Sequence, residues 1–184
     1  MVYILIGIIL LLLIYIFITY NSFIKLSNIV QEAFSTMDIY LKKRWDLVPN
    51  LVEVVKGYAS HEKAVLEQVT TLRTNTYQNM SMNKKINVNE QLTQGISKIM
   101  AISESYPDLK ANQNFSELSE ELRNTENKIS FSRQFYNDTV TMYNTKLEVF
   151  PSNIIAGMFN FKPRDLFETE NDEARKNVQV DFSK

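Results

Sequence analysis

The chain has 184 residues, of which 45% are hydrophobic and 22% charged, with only 4 Gly and 4 Pro, a composition that favours long regular elements over a loop-rich fold. The 20 Lys and Arg against 21 Asp and Glu give a net charge of −1, which supplies no positive field for nucleic acid. The lack of cysteine excludes disulfide scaffolds, thiolate zinc sites and cysteine nucleophiles.

The first 20 residues, MVYILIGIILLLLIYIFITY, predict a transmembrane anchor. Every residue from Val2 to Ile18 is apolar or glycine, and the first charged side chain is that of Lys25. At about 1.5 Å per residue, a helix over residues 2–20 is about 28 Å long, close to the thickness of the hydrocarbon core. A cleaved signal peptide is the alternative, but the segment has neither a basic start nor a small-residue cleavage site. We therefore expect an uncleaved anchor in contact with the lipid bilayer.

Positive charge beside the anchor sets its expected orientation. Lys25 follows the apolar segment closely enough to count under the positive-inside rule, and only the α-amino group precedes it. We therefore expect the N-terminus outside and the rest of the chain in the cytoplasm. The triplet Lys42, Lys43 and Arg44 lies about 33 Å further along a continuing helix and on three different faces, so it is interpreted as a solvated helix end.

Residues 21–150 predict an all-α fold, an elongated antiparallel four-helix bundle. Apolar residues recur every three or four positions over 23–45 and again over 51–72, the spacing of helices that each bury one stripe. Four such segments bury one another's stripes when short connections join neighbours.

The second half of this region contains the two remaining helices. A polar, asparagine-rich tract at 79–90 is expected to be a connection, and the third, shorter helix covers about 91–105. The fourth covers 114–150, and Asn114 with Glu117 has the spacing of a capping box at its start.

The break between the first two helices is expected at Pro49. Proline cannot donate a backbone hydrogen bond, so it suits the first turn of a new helix better than the middle of an old one. A single kinked helix over 21–80 is the alternative, but it would be about 90 Å long and the helices at 91–105 and 114–150 would not cover it. With four helices that alternate in direction, the segment after residue 150 returns to the bilayer.

The segment VFPSNIIAGMFNF, residues 149–161, has no charged side chain. We expect Pro151 to end the fourth helix, and Ser152 or Asn153 to cap a short helical turn. Two interpretations stay open: the apolar side chains plug one end of the bundle, or they form a surface for a partner protein or the membrane interface. The candidate interaction surface consists of Phe150, Pro151, Ile154, Ile155, Met158, Phe159, Phe161 and Phe167.

A polar group late in the fourth helix, Arg133, Asn137 and Asp138, lies among large apolar residues. Arg133 and Asn137 are four residues apart and share a helix face. We interpret the group as a hydrogen-bonded network that fixes the register of the helix, with a ligand-binding role as the alternative.

The sequence contains no recognisable catalytic, cofactor or metal motif. His61 is its single histidine, whereas helical di-iron sites take Glu-x-x-His pairs from two helices, so the glutamates at 117–126 are interpreted as a solvated face. The Ser-x-x-Lys match at 81–84 lacks its accompanying motifs, and the four glycines are too scattered for a phosphate loop. We expect no enzymatic activity, no cofactor and no metal.

Two long stretches carry a resemblance to a known family. YNSFIKLSNIVQEAFSTMDIYLKKRWDLVPNLVEVVKGYASHEKAVLEQV and YPDLKANQNFSELSEELRNTENKISFSRQFYNDTVTMYNTKLEVFPSNIIAGMF resemble the LemA family of bacterial membrane-anchored helical proteins, and YNTKLEVFPSNIIAGMF is specific enough to carry the assignment. The resemblance covers almost all of 20–168. It implies a transmembrane helix, an elongated helical bundle in the cytoplasm, no established enzymatic activity and relatives implicated in membrane organisation. The tract at 79–90 and the residues beyond Glu168 match no pattern of the family.

Together these expectations give a plan of the chain: an anchor at 1–20, a bundle at 21–150, an apolar motif on or near the bundle end at 151–168, and a polar, flexible tail at 169–184. We expect a single-pass protein of the bacterial cytoplasmic (inner) membrane that acts as a scaffold or interaction protein. Its partner would be an unknown membrane or cytoplasmic protein, and not nucleic acid. The alternative is a bilayer-associated homo-oligomer that shapes or organises the membrane.

Overall fold

The structure, a computed structural model, describes residues 1–72 and 77–167. Every regular element in these ranges is helical, so the predicted all-α class is confirmed. The expected tail at 169–184 lies outside the described residues. The elements are α1 (Val2–Tyr58), α2 (Lys63–Thr71), a 3-10 turn (Tyr77–Asn79), α3 (Met82–Ser103), α4 (Pro107–Lys110), α5 (Gln113–Glu148) and α6 (Ser152–Met158).

The first third of α1 is the long apolar segment that the sequence predicts. An 18-residue window of this helix has a mean hydropathy of 3.0, and only 6% of the window is buried inside the protein. When a fold leaves a continuous segment of large apolar side chains exposed, that segment needs an apolar environment outside the protein. The segment has the length and composition to cross a membrane and is compatible with a membrane anchor.

α1 continues through Pro49, so the predicted break at this residue is wrong. Val48 and Leu51, on either side of the proline, and Val55, one turn later, are fully buried. Their packing outweighs the loss of one backbone hydrogen bond at the proline, because tertiary contacts override local helix propensity.

The chain reverses at residues 59–62 instead, between α1 and α2. The long helix ends at Tyr58 and does not continue to residue 80, so it is much shorter than the 21–80 helix that its partners could not cover. The part of α1 beyond the apolar segment, 21–58, is about 57 Å long, and the 36 residues of α5 span about 54 Å. One partner helix is therefore long enough to cover it.

α5 runs antiparallel to α1 along this whole length. At the end far from the apolar segment, the Asn112 side chain donates to Tyr58 Oη at 2.9 Å. At the other end, Lys146 bonds to Ser22. The fully buried side chains of the core include Phe23, Met37, Leu41, Val48, Leu51, Val55, Leu92, Ile99, Leu109 and Val140.

α2 and α3 form the second side of the body. Lys98 of α3 donates to Gln68 of α2 at 3.2 Å, near the turn at 59–62. Tyr77 in the 3-10 turn and Lys85 in the first turn of α3 both bond to Asp38 near the middle of α1, each at 2.7 Å. α2 therefore runs back along α1, and α3 runs outward again beside it.

Two helices begin elsewhere than the sequence predicts. Most of the polar tract at 79–90 forms the first turns of α3, whose N-cap is Ser81, so its prediction as a connection is wrong. The N-cap of α5 is Asn112, whose side chain accepts a hydrogen bond from the Phe115 N–H at 3.0 Å, two residues before the predicted cap at Asn114. Both caps are residue types whose short side chains reach a backbone N–H in the first turn.

Candidate functional site

A buried serine hydroxyl caps the C-terminal end of α5. α5 ends before Pro151, as predicted. Ser152 is 6% exposed, and its Oγ donates to the carbonyls of Lys146 and Val149 at 2.7 and 2.9 Å. Carbonyls in the last turn of a helix have no partner within the helix. Ser152 therefore caps α5, and the predicted cap of α6 at Ser152 or Asn153 is wrong, because the N-cap position of α6 is Pro151 with no side-chain bond.

α6 has one buried and one exposed apolar side. Ile155 and Ala156 are each 4% exposed and pack inward, as the plug interpretation expects of Ile155. Phe150, Ile154 and Met158 are 79%, 54% and 64% exposed. Ile154 and Met158, four residues apart on α6, share one face, and Phe150 lies just before the helix. We call these three side chains the exposed row. The segment therefore plugs the body with one side and presents a strip of large apolar side chains with the other.

The residues that follow α6 pack against the root of the apolar helix. The Phe159 ring lies 4.7 Å from the Tyr20 ring, and the Phe161 ring stacks on Phe23 at 4.8 Å between centroids. Tyr20 is the last residue of the segment predicted to cross the membrane. The C-terminal segment has therefore returned to the level at which that segment ends.

Basic side chains surround this junction. Lys146 bonds to Ser22 and lies over the Phe23 ring, and burial lowers the pKa of Lys146. Arg164 reaches Ser27, and the exposed Lys25 and Lys162 lie in the same two segments. We call these four cations, Lys25, Lys146, Lys162 and Arg164, the cationic collar.

Beyond the collar, the chain runs along α5 away from the apolar helix. Asn144 and Arg164 exchange two hydrogen bonds, at 2.8 and 2.9 Å, between the amide side chain and the backbone. Further along, Tyr136 donates to the Asp165 carbonyl at 2.9 Å, and burial raises the pKa of Tyr136. These bonds lead the chain along α5 from the level of Asn144 to that of Tyr136.

The predicted polar group of α5 meets this C-terminal segment in part. Asn137 binds both the N–H and the carbonyl of Phe167, at 2.8 and 3.0 Å. The Arg133 guanidinium lies 5.7 Å from the centre of the Phe167 ring, which is 7% exposed. Asp138 is exposed and does not join them. Arg133 and Asn137 therefore hold the end of the described chain onto α5.

A second polar network lies in the middle of the body, at Arg44. Arg44 is 2% exposed, and its guanidinium donates to Thr93 Oγ1 at 2.7 Å, to the Asn89 carbonyl at 2.8 Å and to the Glu126 carboxylate. Burial lowers the pKa of Arg44, and its pairing with Glu126 opposes that shift. One cation therefore connects α1, α3 and α5.

The interpretation of residues 42–44 as a solvated helix end is wrong for Arg44. Lys42 and Lys43 are partly exposed, and they pair with carboxylates at the surface. Arg44 lies three residues after Leu41 and four before Val48, both fully buried, so it occupies the buried stripe of α1. The sequence therefore indicated the burial of Arg44 through its position in the apolar stripe.

The other residues considered as catalytic or metal-binding candidates occupy positions that the helical structure explains. His61 is exposed in the turn between α1 and α2. Ser81 accepts a hydrogen bond from the Lys84 N–H at 3.4 Å, so the Ser-x-x-Lys match marks the start of a helix. Of the glutamates at 117–126, Glu126 binds Arg44 and so is not part of a purely solvated face. Within residues 1–72 and 77–167, no three His, Asp or Glu side chains are grouped to hold a metal ion.

Comparisons with known proteins find relatives along most of the chain. "Protein LemA" of Metamycoplasma hominis (strain ATCC 23114 / DSM 25592 / NBRC 14850 / NCTC 10111 / PG21) is 25% identical over 165 residues, covering 89% of this chain and 74% of that protein. "Magnetosome protein MamQ 1" and "Magnetosome protein MamQ 2" of Paramagnetospirillum magneticum (strain ATCC 700264 / AMB-1) are each 23% identical over 175 residues, covering 81% of this chain. The chain spans 64% of the length of each of these two.

A protein-family model matches the chain as well. The model of the LemA family matches residues 33–182, which include α5 and α6. The match also includes the tract at 79–90 and residues 169–182, so the expectation that these follow no pattern of the family is wrong. The match covers most of the chain and agrees with the relatives found by identity. The protein belongs to the LemA family.

Proposed function

We propose that this protein is a membrane-anchored helical scaffold whose α6 lies in the surface of the bilayer. The observation that carries the proposal is the position of the exposed row, Phe150, Ile154 and Met158, beside the root of the apolar helix. The ring of Phe159, one residue after the row, contacts Tyr20, where that helix leaves the predicted span. A strip of large apolar side chains at this level is suited to the boundary between headgroups and acyl chains.

The cationic collar supports the placement of α6 at the bilayer surface and the orientation of the chain across the membrane. The sequence offers only Lys25 beside the anchor, but the fold brings Lys146, Lys162 and Arg164 to the same level. Basic side chains at a membrane surface are attracted to the anionic lipids of the cytoplasmic leaflet. The proposal therefore keeps the helical body in the cytoplasm and the N-terminus outside.

Two attachments to the bilayer would fix the direction of the body. A single helix allows the body to tilt and rotate about the anchor, whereas α6 at the interface adds a second point of contact. Residues 21–58 of α1 would then project about 57 Å from the membrane and present the turn at 59–62 and the start of α5 to a protein partner. The role assigned is binding and positioning, with no reaction.

The depth of α6 tests this proposal. The chain has no cysteine, so single cysteines at Ile154 and Met158 accept a fluorophore without a background. The labelled proteins are placed in liposomes whose lipids carry a nitroxide quencher just below the headgroup. Ile14→Cys marks the span, and Ser60→Cys, exposed in the turn after α1, marks the far end of the body.

Strong quenching at Ile154 and Met158, and none at Ser60, is the expected result. Phe135→Cys is the matched control, because Phe135 is also apolar and 54% exposed but lies on α5 away from α6. Met158→Asp should reduce the quenching at Ile154, since a carboxylate disfavours immersion in the interface. Quenching at Ile154 and Met158 no stronger than at Phe135 and Ser60 would refute a lipid-facing α6.

A further inference from the structure

A cavity of about 400 Å³ lies where the root of the apolar helix meets the C-terminal segment. Ser27 of α1 and Tyr143 of α5 contribute to its wall, and the segment after α6 contributes Lys162 and Arg164. Sites for small molecules in proteins measure about 300–1,000 Å³, so the cavity is large enough for a small polar group.

Lys162 and Arg164 bring two positive charges to this cavity without counterions. Neither side chain forms an ion pair with a carboxylate in the part of the chain that the structure describes. Arg164 Nη2 donates a long bond, 3.5 Å, to Ser27 Oγ. Asp165, the next residue, is exposed and does not line the cavity. The guanidinium and the ammonium therefore keep donors for an anion.

Two hydroxyl groups in the wall add hydrogen-bond donors. Tyr143 is 2% exposed, and its hydroxyl forms no hydrogen bond within the described residues. Ser27 is half-buried, and its oxygen accepts the long bond from Arg164, which leaves its proton free to donate. Guanidinium, ammonium and hydroxyl donors together are suited to the oxygens of a phosphate group.

The segment that carries the two cations is fastened at both ends. Phe161 stacks on Phe23 at 4.8 Å between ring centroids. Asn144 binds the N–H and the carbonyl of Arg164, at 2.9 and 2.8 Å. Between these points, the ring of Pro163 restricts the backbone. The cations are therefore positioned before a ligand arrives, which lowers the entropic cost of binding it.

The level of the cavity matches the headgroup layer of a bilayer. Phe23 and Ser27 lie about 5 and 10 Å beyond Tyr20 along α1. The headgroup layer on each side of the hydrocarbon core is roughly 5–8 Å thick. With Tyr20 at the edge of that core, a phospholipid presents its phosphate at the level of this cavity.

We propose that the cavity binds the phosphate of one anionic phospholipid, held by Lys162 and Arg164. A zwitterionic lipid fits less well, because its ammonium group finds no carboxylate among the described residues of the wall. The bound lipid would connect α1 to the segment after α6 at one defined position, which a diffuse attraction to the cationic collar does not do. This inference rests on the proposed contact of α6 with the bilayer and adds a specific lipid site to it.

Native mass spectrometry of the full chain, released from neutral detergent micelles, tests the proposal by counting the lipids that stay bound. The protein is first equilibrated with equal amounts of phosphatidylglycerol and phosphatidylcholine of matched chain length. We expect one phosphatidylglycerol per chain and a preference of about tenfold over phosphatidylcholine, because each cation beside the lipid adds to its attraction. Arg164→Gln should weaken the binding of phosphatidylglycerol about fivefold.

Ser27→Trp separates a defined cavity from general attraction, because it fills the wall and leaves every charge in place. Ser35→Trp, the same change at an exposed position of α1, is the matched control. The preference should be lost in Ser27→Trp and kept in Ser35→Trp, with helical circular dichroism to check folding. Arg164→Gln, at an exposed position, carries the test if Ser27→Trp does not fold.

Equal binding of the two lipids, or a preference that Arg164→Gln leaves unchanged, would overturn the proposal. Displacement of the lipid by inorganic phosphate would also overturn it, since the cavity would then take a soluble anion. The measurement in micelles does not depend on the depth of α6. Quenching at Ile154 and Met158 without a preference for phosphatidylglycerol would therefore overturn the lipid site alone, and a preference without that quenching would refute only the placement of α6.

Discussion

Replacing Glu126 by glutamine is expected to destabilise the protein more than the exposure of this residue indicates. The Glu126 side chain is 46% exposed, but its partner, the Arg44 side chain, is 3% exposed. The substitution leaves the guanidinium with its bonds to Thr93 and Asn89 and without the facing carboxylate. The cost therefore arises at the buried cation and not at the replaced side chain.

The structure sets the size of this effect between two limits. Removing one partner of a fully buried ion pair costs about 3–5 kcal/mol, whereas an exposed pair is worth about 0–1 kcal/mol. The amide that replaces the carboxylate would still accept a hydrogen bond, and water reaches the exposed half of the pair. We therefore expect Glu126→Gln to lower the free energy of unfolding by about 2 kcal/mol. In an Arg44→Met background the same change should have little effect, because the charge that needs a counterion is gone.

Chemical denaturation of the protein in micelles, followed by helical circular dichroism, measures this loss as a shift in the midpoint at constant slope. Glu121→Gln is the matched control. Glu121 also lies on α5 and is 43% exposed, but its partner, Lys43, is itself 44% exposed. Glu126→Gln should shift the midpoint clearly more than Glu121→Gln. Equal shifts would show that burial of the cation does not decide the energy of the pair.

Two further predictions concern packing and the C-terminal segment. A Cβ at Gly95 would lie 2.6 Å from Val69 Cγ2, so Gly95→Ala should lower the free energy of unfolding by about 1–2 kcal/mol, measured by thermal or denaturant unfolding. A Cβ at Gly57 meets nothing within 4 Å, so Gly57→Ala should be neutral or stabilising. Destabilisation by both alanines alike would refute this account. Asn137→Ala removes both hydrogen bonds to Phe167, so the Phe167 amide should exchange with deuterium faster while amides in the middle of α5 keep their protection.

The sequence predicted the structure well where a helix buries a single apolar stripe. The apolar spacing over 23–45 and 114–147 predicted the helical segments of α1 and α5, because both bury a single face against each other. It failed at Pro49, where local propensity opposes a helix and the packing of Val48 and Leu51 maintains it. It failed also at 82–90, where the half-buried Ile86 and Val88 stand among polar residues and give a weak period.

The polar sites were harder to predict, because their partners are distant in sequence. Arg44 and Glu126 are 82 residues apart, so no local pattern could pair them. For the same reason Asn137 could be assigned to a polar network but not to Phe167, which lies 30 residues away. The two interpretations of the apolar C-terminal motif stayed open because neighbouring residues differ in burial: Ile154 is exposed, whereas Ile155 is buried.

The return of α6 to the root of the apolar helix follows from the number of reversals and not from where they occur. The first reversal lies at residues 59–62 and not at Pro49, yet α1, α2, α3 and α5 still alternate in direction. The level of α6 is then set by the length of α5, which is fastened at one end to Tyr58 and at the other to Ser22. An α5 shorter by two turns would leave α6 about 11 Å away from the level of Tyr20. On the proposed placement of α6, the length of this one helix thus determines whether the exposed row meets lipid.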